Sequence, residues 1–531
     1  MLLLEADKIK KSYGDRLVLS VDHLEIHSRD RIGLVGLNGS GKTTLMNIMT
    51  GNLEADEGSC RRYVDFSYIR QFNADNIDIE QKDYLSGGEK SKAILLAAFA
   101  SDKPLCFADE PTNHLDIDGI KLLEKQILGY QGALLIISHD RELLDQVCNR
   151  IIEIENGMIT NYRGNYQSYL LNKKYQRDRA EFNYQQYQRE KCRLEQSLRE
   201  RQRKSASVRK TPRRMGNSEA RLHKRESGEI QKKLARSSKM LQSRLARMKP
   251  CELPFREQKV IFYSNPLEQP GASVLVRCDN LDLNLGNSNL LTSSSFFLPK
   301  GSRTALVGSN GTGKTSLLRL LAARDPRFKI APWTRLGYLG QELEDLDPSL
   351  TALETVMNSS IQPESTARTL LASLLLKAAD IRKKVAVLSG GERVKLALAR
   401  LLLSNANLLL LDEPNNYLDV RSTEALQELI ADYPGTILFV SHDRQLIKKA
   451  ANRIVNISDY KLTTFEDGYK QYEEWLDKAN SRGGQDQLES KQLLLKMRCA
   501  ELASRIAKPR KSDDVKLLMQ EYDDLIGRLR K

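Results

Sequence analysis

Two segments of this 531-residue chain, about 270 residues apart, carry the residue types that hold phosphate. They read GLNGSGKTT (Gly36 to Thr44) and GSNGTGKTS (Gly308 to Ser316), and each fits G-x-x-x-x-G-K-[ST]. Gly36, Gly39 and Gly41 let the backbone curl so that its N–H groups point inward at phosphate oxygens. A helix starting at the loop aims its positive end at the same oxygens. Lys42 is placed to reach the β- and γ-phosphates, and the Thr43 hydroxyl to ligate Mg²⁺. Gly308, Gly311, Gly313, Lys314 and Thr315 repeat these roles, and Asn38, Thr44, Asn310 and Ser316 complete the two nucleotide-binding loops. Strand-like runs, RIGLVG and RTALVG, precede the loops, and helix-like runs, TLMNIMTG and SLLRLLAA, follow them. A chance Gly-rich turn explains one such match poorly and two of them hardly at all.

Four further signals follow each loop in the same order. The first is a lone Gln after a strand, Gln71 in YIRQ and Gln341 in YLGQ. The second is LSGGE, with Ser86, Gly87, Gly88 and Glu89 in one copy and Ser389, Gly390, Gly391 and Glu392 in the other. The third is an apolar strand ending Asp-Glu-Pro, with Asp109 and Glu110, then Asp412 and Glu413. The fourth is a strand ending Ser-His-Asp, with His139 and His442. A carboxylate just after a buried strand can order water beside a metal, although a lone Asp-Glu pair is as often a helix-capping acid. Phosphoryl transfer needs such positioning and charge neutralisation rather than covalent chemistry.

The elements that position these residues alternate between apolar strands and helical patterns. That implies an α/β fold with a mostly parallel sheet and helices on its faces, present twice. The length suits about three domains. Hydrophobic residues make up 40% and charged residues 29%, which suits a soluble globular protein. No apolar run reaches the roughly 18 residues a membrane span needs. MLLLEADKIK is too short and acidic for a secretory signal. Seven scattered cysteines without C-x-x-C spacing argue against a disulfide framework or zinc site and fit a reducing cytosol.

The net charge of +14 is concentrated. Between Lys173 and Lys249 stand 25 Lys and Arg against 8 Asp and Glu, a net of +17, so the rest of the chain is slightly acidic. Residues 173–204 and 218–249 are highly charged and helix-prone. Between them lies SASVRKTPRRMGNS, where Pro212 and Gly216 break a helix. The simplest reading is an antiparallel helical hairpin with arms of about 45 Å. Its tip carries Arg209, Lys210, Arg213, Arg214 and Met215. A solvated spacer between the modules is the plain alternative. Against it, such an excess self-repels unless a polyanion neutralises it, and RNA phosphate is the natural partner.

The ordered motifs resemble the ABC ATPase family over roughly 375 residues. The resemblance implies that Asp109 and Asp412 help hold Mg²⁺ and that Glu110 and Glu413 polarise the attacking water. It also implies that His139 and His442 contact the γ-phosphate, and that Gln71 and Gln341 sense Mg²⁺ and the water. Each LSGGE segment would close the opposite module's nucleotide, so Lys42 would face Ser389 to Gly391 and Lys314 would face Ser86 to Gly88. Tyr13 sits where the family stacks an aromatic on adenine, and module two offers Leu285 there, so that site lacks the stacking ring. Only 14 residues separate Gln71 from Ser86, against 47 between Gln341 and Ser389, so module one has almost no helical subdomain. Module two reads DEPNNYLD where module one reads DEPTNHLD.

Tandem modules, no membrane domain and a charged helical linker together resemble the ABC-F group. Its resistance branch, of the Vga/VmlR type, has the similar trimmed first module and long linker. The expected organisation is ATPase domain 1 over 1–170, a basic hairpin over 171–272, ATPase domain 2 over 273–478 and a helical C-terminal extension over 479–531. What the resemblance implies is a cytoplasmic ATP hydrolase using Mg²⁺, a monomer whose two ATPase domains pair within the chain. It would bind the bacterial ribosome at the tRNA exit site, touching ribosomal RNA and peptidyl-site tRNA. It would protect the peptidyl-transferase centre from lincosamides, pleuromutilins and streptogramins A. A housekeeping translation factor is the alternative, and a transporter's ATPase subunit is the weaker one. Met215 is a flexible side chain that either reaches a drug pocket or packs the two arms.

Overall fold

A computed structural model describes residues 1–70, 99, 103–113, 115–207, 217–248, 251, 273–285, 288–340, 346–376, 380–416 and 418–481. Expectations for Gln71, Ser86 to Glu89, Gln341, the hairpin tip from Arg209 to Met215 and the C-terminal extension lie outside the described residues. The chain divides into two compact units, Met1–Gln167 with Gln258–Lys531, and Ser168–Glu257. Both nucleotide modules belong to the first.

Module one begins with β1 (Leu2–Tyr13), β2 (Arg16–His27), β3 (Arg31–Gly36), α1 (Lys42–Thr50), β4 (Glu57–Arg62) and β5 (Phe66–Ile69). It continues through β6 (Leu105–Asp109), α2 (Ile117–Gly129), β7 (Ala133–Ile137), α3 (Arg141–Val147), β8 (Arg150–Glu155) and β9 (Met158–Arg163). One nine-stranded sheet results, ordered β4-β1-β2-β9-β8-β3-β7-β6-β5. The run β8-β3-β7-β6-β5 is parallel. Its strands LCFAD and ALLII are buried at every position, as strands covered on both faces must be. The β1-β2-β4 end is antiparallel, which the sequence reading did not anticipate. Its signature is the alternating burial along β1, the mark of a sheet buried on one face.

The second unit holds the described parts of the linker. There α4 (Tyr166–Ser207) is a 42-residue helix and α5 (Asn217–Arg247) a 31-residue one. Arg244 bonds Glu190 across the two at 2.8 Å. These residues stand about 25 and 40 Å along their helices from the connection, so they can touch only if the chain doubles back.

Module two contains β10 (Val274–Leu285), β11 (Ser288–Pro299), β12 (Arg303–Gly308), α6 (Lys314–Ala322), β13 (Lys329–Ile330) and β14 (Leu336–Leu339). Then come α7 (Ala352–Met357), α8 (Glu364–Ser373), α9 (Gly390–Leu402), β15 (Leu408–Asp412), α10 (Val420–Asp432) and β16 (Thr436–Val440). It closes with α11 (Arg444–Ala450), β17 (Arg453–Ser458), β18 (Lys461–Phe465) and α12 (Tyr469–Ser481). Here the antiparallel strands form a separate sheet, β11-β10-β13, beside the sheet β14-β15-β16-β12-β17-β18. Helices α7 to α9 lie between β14 and β15 and bury Val356, Leu370, Leu371, Leu396 and Leu398 in the module's own core. Among the described residues, no helix is long and apolar enough to cross a membrane.

Candidate nucleotide sites

Strand β3 ends at Gly36 and β12 at Gly308, where a side chain would collide with the carbonyl oxygens of Ile154 and Ile457 at 2.6 and 2.7 Å. Only glycine lets the neighbouring strand pass that close while the chain turns into the loop. Helices α1 and α6 start from Gly41 and Gly313, both left-handed, and neither has a side-chain cap. By contrast, Asp116, Asp140, Thr351, Ser389, Asp419 and Asp443 all cap their helices by side chain. The first-turn N–H groups of α1 and α6 therefore remain for a ligand, which is what an anion needs at a helix N-terminus.

Both loop lysines are buried, and each lies over the start of its own loop. Lys42 Nζ donates to the carbonyls of Gly36 (2.8 Å) and Leu37 (3.1 Å), and Lys314 Nζ to those of Gly308 and Ser309 (both 2.8 Å). Burial lowers both pKa values, partly offset by nearby carboxylates. Those carboxylates reveal a crossing. Besides Glu110 and Asp109, Lys42 feels Asp419 of module two. Besides Glu413 and Asp412, Lys314 feels Asp116 of module one. The Asn310 N–H also donates to Asp116 at 3.3 Å. Each phosphate loop thus faces the aspartate that ends the other module's DEPTNHLD or DEPNNYLD segment.

Strands β6 and β15 deliver the acids. Burial pushes Asp109 and Asp412 up to about 6, the neighbouring glutamates add to this, and the Thr43 and Thr315 hydroxyls pull back. Asp109 Oδ2 and both Asp412 carboxylate oxygens are buried and, apart from the Thr315 hydroxyl beside Asp412, meet no hydrogen-bond donor among the described residues. Orphaned carboxylate oxygens beside a hydroxyl form a hard oxygen set suited to Mg²⁺. The folded state holds a proton on each aspartate above its ordinary 3.8, so the stability present below that value is lost as pH rises through about 6. Asp109→Asn and Asp412→Asn are therefore expected to stabilise the nucleotide-free protein by on the order of 1–3 kcal/mol each at pH 7.5 and to give no gain below pH 4. Thermal melts across pH check this, and a loss of stability at pH 7.5 would contradict it.

Glu110 and Glu413 occupy the left-handed backbone region, with φ of 50° and 49°. For a glutamate that conformation costs on the order of 1 kcal/mol and persists only where neighbours enforce it. The enforcing bonds are the same twice. Glu110 N–H donates to Ile137 O and its carbonyl accepts from Asn113 N–H; Glu413 repeats this with Val440 and Asn416. The strain aims each carboxylate at its histidine, with Glu110 to His139 Nε2 at 3.0 Å and Glu413 to His442 Nε2 at 3.7 Å. The copies then diverge. The Asn416 amide donates to Glu413. Burial, reinforced by Lys314, drops the His442 pKa to about 4, so that ring is neutral at physiological pH. Thr112 meets Ser138 where Asn415 accepts from Ser441, so the departure in module two keeps the contact.

Ser389 begins α9 with a capping box, exchanging bonds with Glu392, so Gly390 and Gly391 form the helix's first turn. Tyr13, at the end of β1, is 54% exposed and open to a base, while Leu285 ends β10.

Several residues about the sites were not singled out from sequence. Asp419 lies 3.5 Å from buried Lys395; burial pushes its carboxyl up, but the Lys395 charge, the Ser422 hydrogen bonds and His139 together outweigh that and keep it below its ordinary value. Arg141 and Arg444, each directly after Ser-His-Asp, cross between modules. Arg141 meets Glu424 (3.0 Å) and the Val420 carbonyl (2.9 Å). Arg444 binds Glu124, Glu142 (2.9 Å) and Asp140 (3.5 Å). Ile117 of module one is buried in the apolar core of module two. The available signal was the duplication itself, since Asp116 and Asp419, and Arg141 and Arg444, recur at matching places.

The model of the ABC transporter family matches residues 19–73 and 291–416. The Erythromycin resistance ATP-binding protein MsrA of Staphylococcus epidermidis is 31% identical, over 84% of this chain and 96% of that one. This chain belongs to the ABC-F family. The Putative ATP-binding protein YdiF of Bacillus subtilis is 30% identical over 89% of the chain and 83% of its own length. The Ribosome protection protein VmlR of the same organism is 29% identical over 84% and 85%. A crystal structure of archaeal ribosome recycling factor aABCE1 with stalk protein aP1 shares the fold at TM-score 0.60 and 19% identity, covering 89% of this chain and 92% of that one. As an ABC-F protein the chain is an ATP hydrolase with two tandem ABC domains.

Proposed function

We propose that this ABC-F ATPase binds the bacterial ribosome in its ATP-closed form and protects the peptidyl-transferase centre from antibiotics. The observation that carries the reading is a complete, duplicated set of phosphate-site residues in one compact unit, joined to a linker of net +17. The relatives named for erythromycin resistance and ribosome protection support it. In this reading Lys42 and Lys314 neutralise phosphate, and Asp109 and Asp412, with Thr43 and Thr315, hold Mg²⁺, which supplies charge neutralisation when bound. Glu110 and Glu413 hold the attacking water, and Ser389 to Gly391 and Ser86 to Gly88 close the opposite nucleotides. The protein acts as a cytoplasmic monomer at the tRNA exit site, its linker tip against ribosomal RNA and peptidyl-site tRNA. ATP times binding and hydrolysis times release.

Cell-free bacterial translation tests this. Extract is inhibited separately by a lincosamide, a pleuromutilin, a streptogramin A and a macrolide, and purified protein is added. The expected result is recovery of synthesis with at least one drug, dependent on ATP and on the tip from Arg209 to Met215. No recovery with any drug, together with ribosome-stimulated hydrolysis, would instead support a housekeeping translation factor.

A further inference from the structure

The linker's first helix has two faces of different chemistry. Tyr184, Tyr187, Lys191, Leu194 and Leu198 recur at the three- and four-residue steps of a packing seam, and Leu194 is buried. The opposite face carries Tyr175 and Phe182, which are 65% and 59% exposed. Seven residues apart, they lie on one stripe about 10 Å from each other. Asp178 and Arg179 flank the stripe between the two rings, Leu171 (64% exposed) precedes it, and Arg189 and Arg193 extend it, all exposed. A two-helix hairpin has no structural use for large aromatic rings on its outer face, where polar residues serve better.

We propose that this outer face of α4 is a stacking platform for unpaired RNA, with bases on Tyr175 and Phe182 and phosphates on Arg179, Arg189 and Arg193. The inference rests on the ribosome-binding reading above and adds a second contact region, on the stem rather than the tip. The excess of 25 basic over 8 acidic residues between Lys173 and Lys249 selects a polyanion. Rings alternating with guanidinium groups select one that offers π-faces as well as phosphate. A duplex hides its base faces within the stack, so the ligand is a loop, bulge or single-stranded end.

The test uses full-length protein, a short fluorescein-labelled unpaired RNA, and the same RNA annealed to its complement, titrated by anisotropy over a salt series. The double variant Tyr175→Ala with Phe182→Ala is expected to bind the unpaired RNA about tenfold or more weakly. Its duplex affinity should stay within about twofold and its salt slope should be unchanged, since no charge was removed. Tyr175→Phe with Phe182→Tyr, which keeps both rings, should restore affinity, and basal ATP hydrolysis should match wild type in both. Equal losses on the two RNAs, or no loss, would overturn the platform. So would loss of ribosome co-sedimentation with RNA affinity intact, which would mean that the stripe docks on a protein. Because the probe is isolated RNA, this outcome is independent of whether ATP-locked protein sediments with ribosomes, which tests the ribosome reading itself.

Discussion

Glu110→Gln combined with Glu413→Gln is expected to lower ATP turnover by about 10²–10⁴-fold while leaving nucleotide binding intact. Glutamine keeps the side-chain volume and the backbone bonds that enforce φ near +50°, and it removes the carboxylate that accepts a proton from water. Retained binding with lost hydrolysis should hold the modules closed, so the variant should pellet with ribosomes in ATP several-fold more than wild type. Phosphate release and co-sedimentation measure the two halves separately. Turnover near wild type would remove both glutamates from the chemistry. Lost turnover with no gain in co-sedimentation would break the link between nucleotide state and ribosome. The single variants are informative as well. Glu413 is restrained by Asn416 and sits farther from its histidine than Glu110 does, so Glu110→Gln is expected to cost the larger share of turnover.

Arg444→Ala is the second large effect. This arginine is only 6% exposed, and three carboxylates of the other module surround it. Burial alone would lower its pKa, but Asp140, Glu124 and Glu142 outweigh that and hold it above the ordinary value. Removing one partner from a buried cluster leaves uncompensated charge, a loss of about 3–5 kcal/mol. Denaturant unfolding followed by intrinsic fluorescence should show an earlier transition, split in two as the modules uncouple. The combination of Arg444→Met with Glu124→Gln and Glu142→Gln removes the arginine with two of its three carboxylates, leaving Asp140 as the cap of α3, and should recover part of the loss. If Arg444→Ala unfolds like wild type, the cluster contributes nothing to module pairing. Arg141→Ala should cost less, because its partner Glu424 is 41% exposed and water already screens that pair.

The catalytic inventory was legible in the linear chain because its parts are local. A phosphate loop must be a short glycine-rich turn between a strand and a helix, and a metal-side carboxylate must end a buried strand. Both leave contiguous signatures, and duplication repeats each one. The linker helices were legible in part: 173–204 is unbroken by Pro or Gly and 218–249 by Pro, yet the first helix runs Tyr166–Ser207, ten residues more than that charged stretch, because its start is held by the buried rings of Tyr166 and Tyr169 rather than written in charge. The antiparallel strands were harder to read. Their one-face burial alternates, and β1 and β2 carry polar residues that resemble loop composition.

What the sequence by itself determined is which residue types the sites contain and in what order. Those are properties of segments a few residues long, set by backbone conformation and helix polarity. The tertiary structure alone decided which loop meets which module. Asp116 at the loop of Lys314, Asp419 acting on the charge of Lys42, and Arg444 among Glu124, Asp140 and Glu142 join positions roughly 200 to 380 residues apart. No local propensity encodes such pairings. They follow from burial, which makes a charge costly unless another element brings the opposite charge to it. Tertiary packing likewise set the strained φ of the two glutamates, since only strands β7 and β16 lying alongside supply the carbonyls that hold them there.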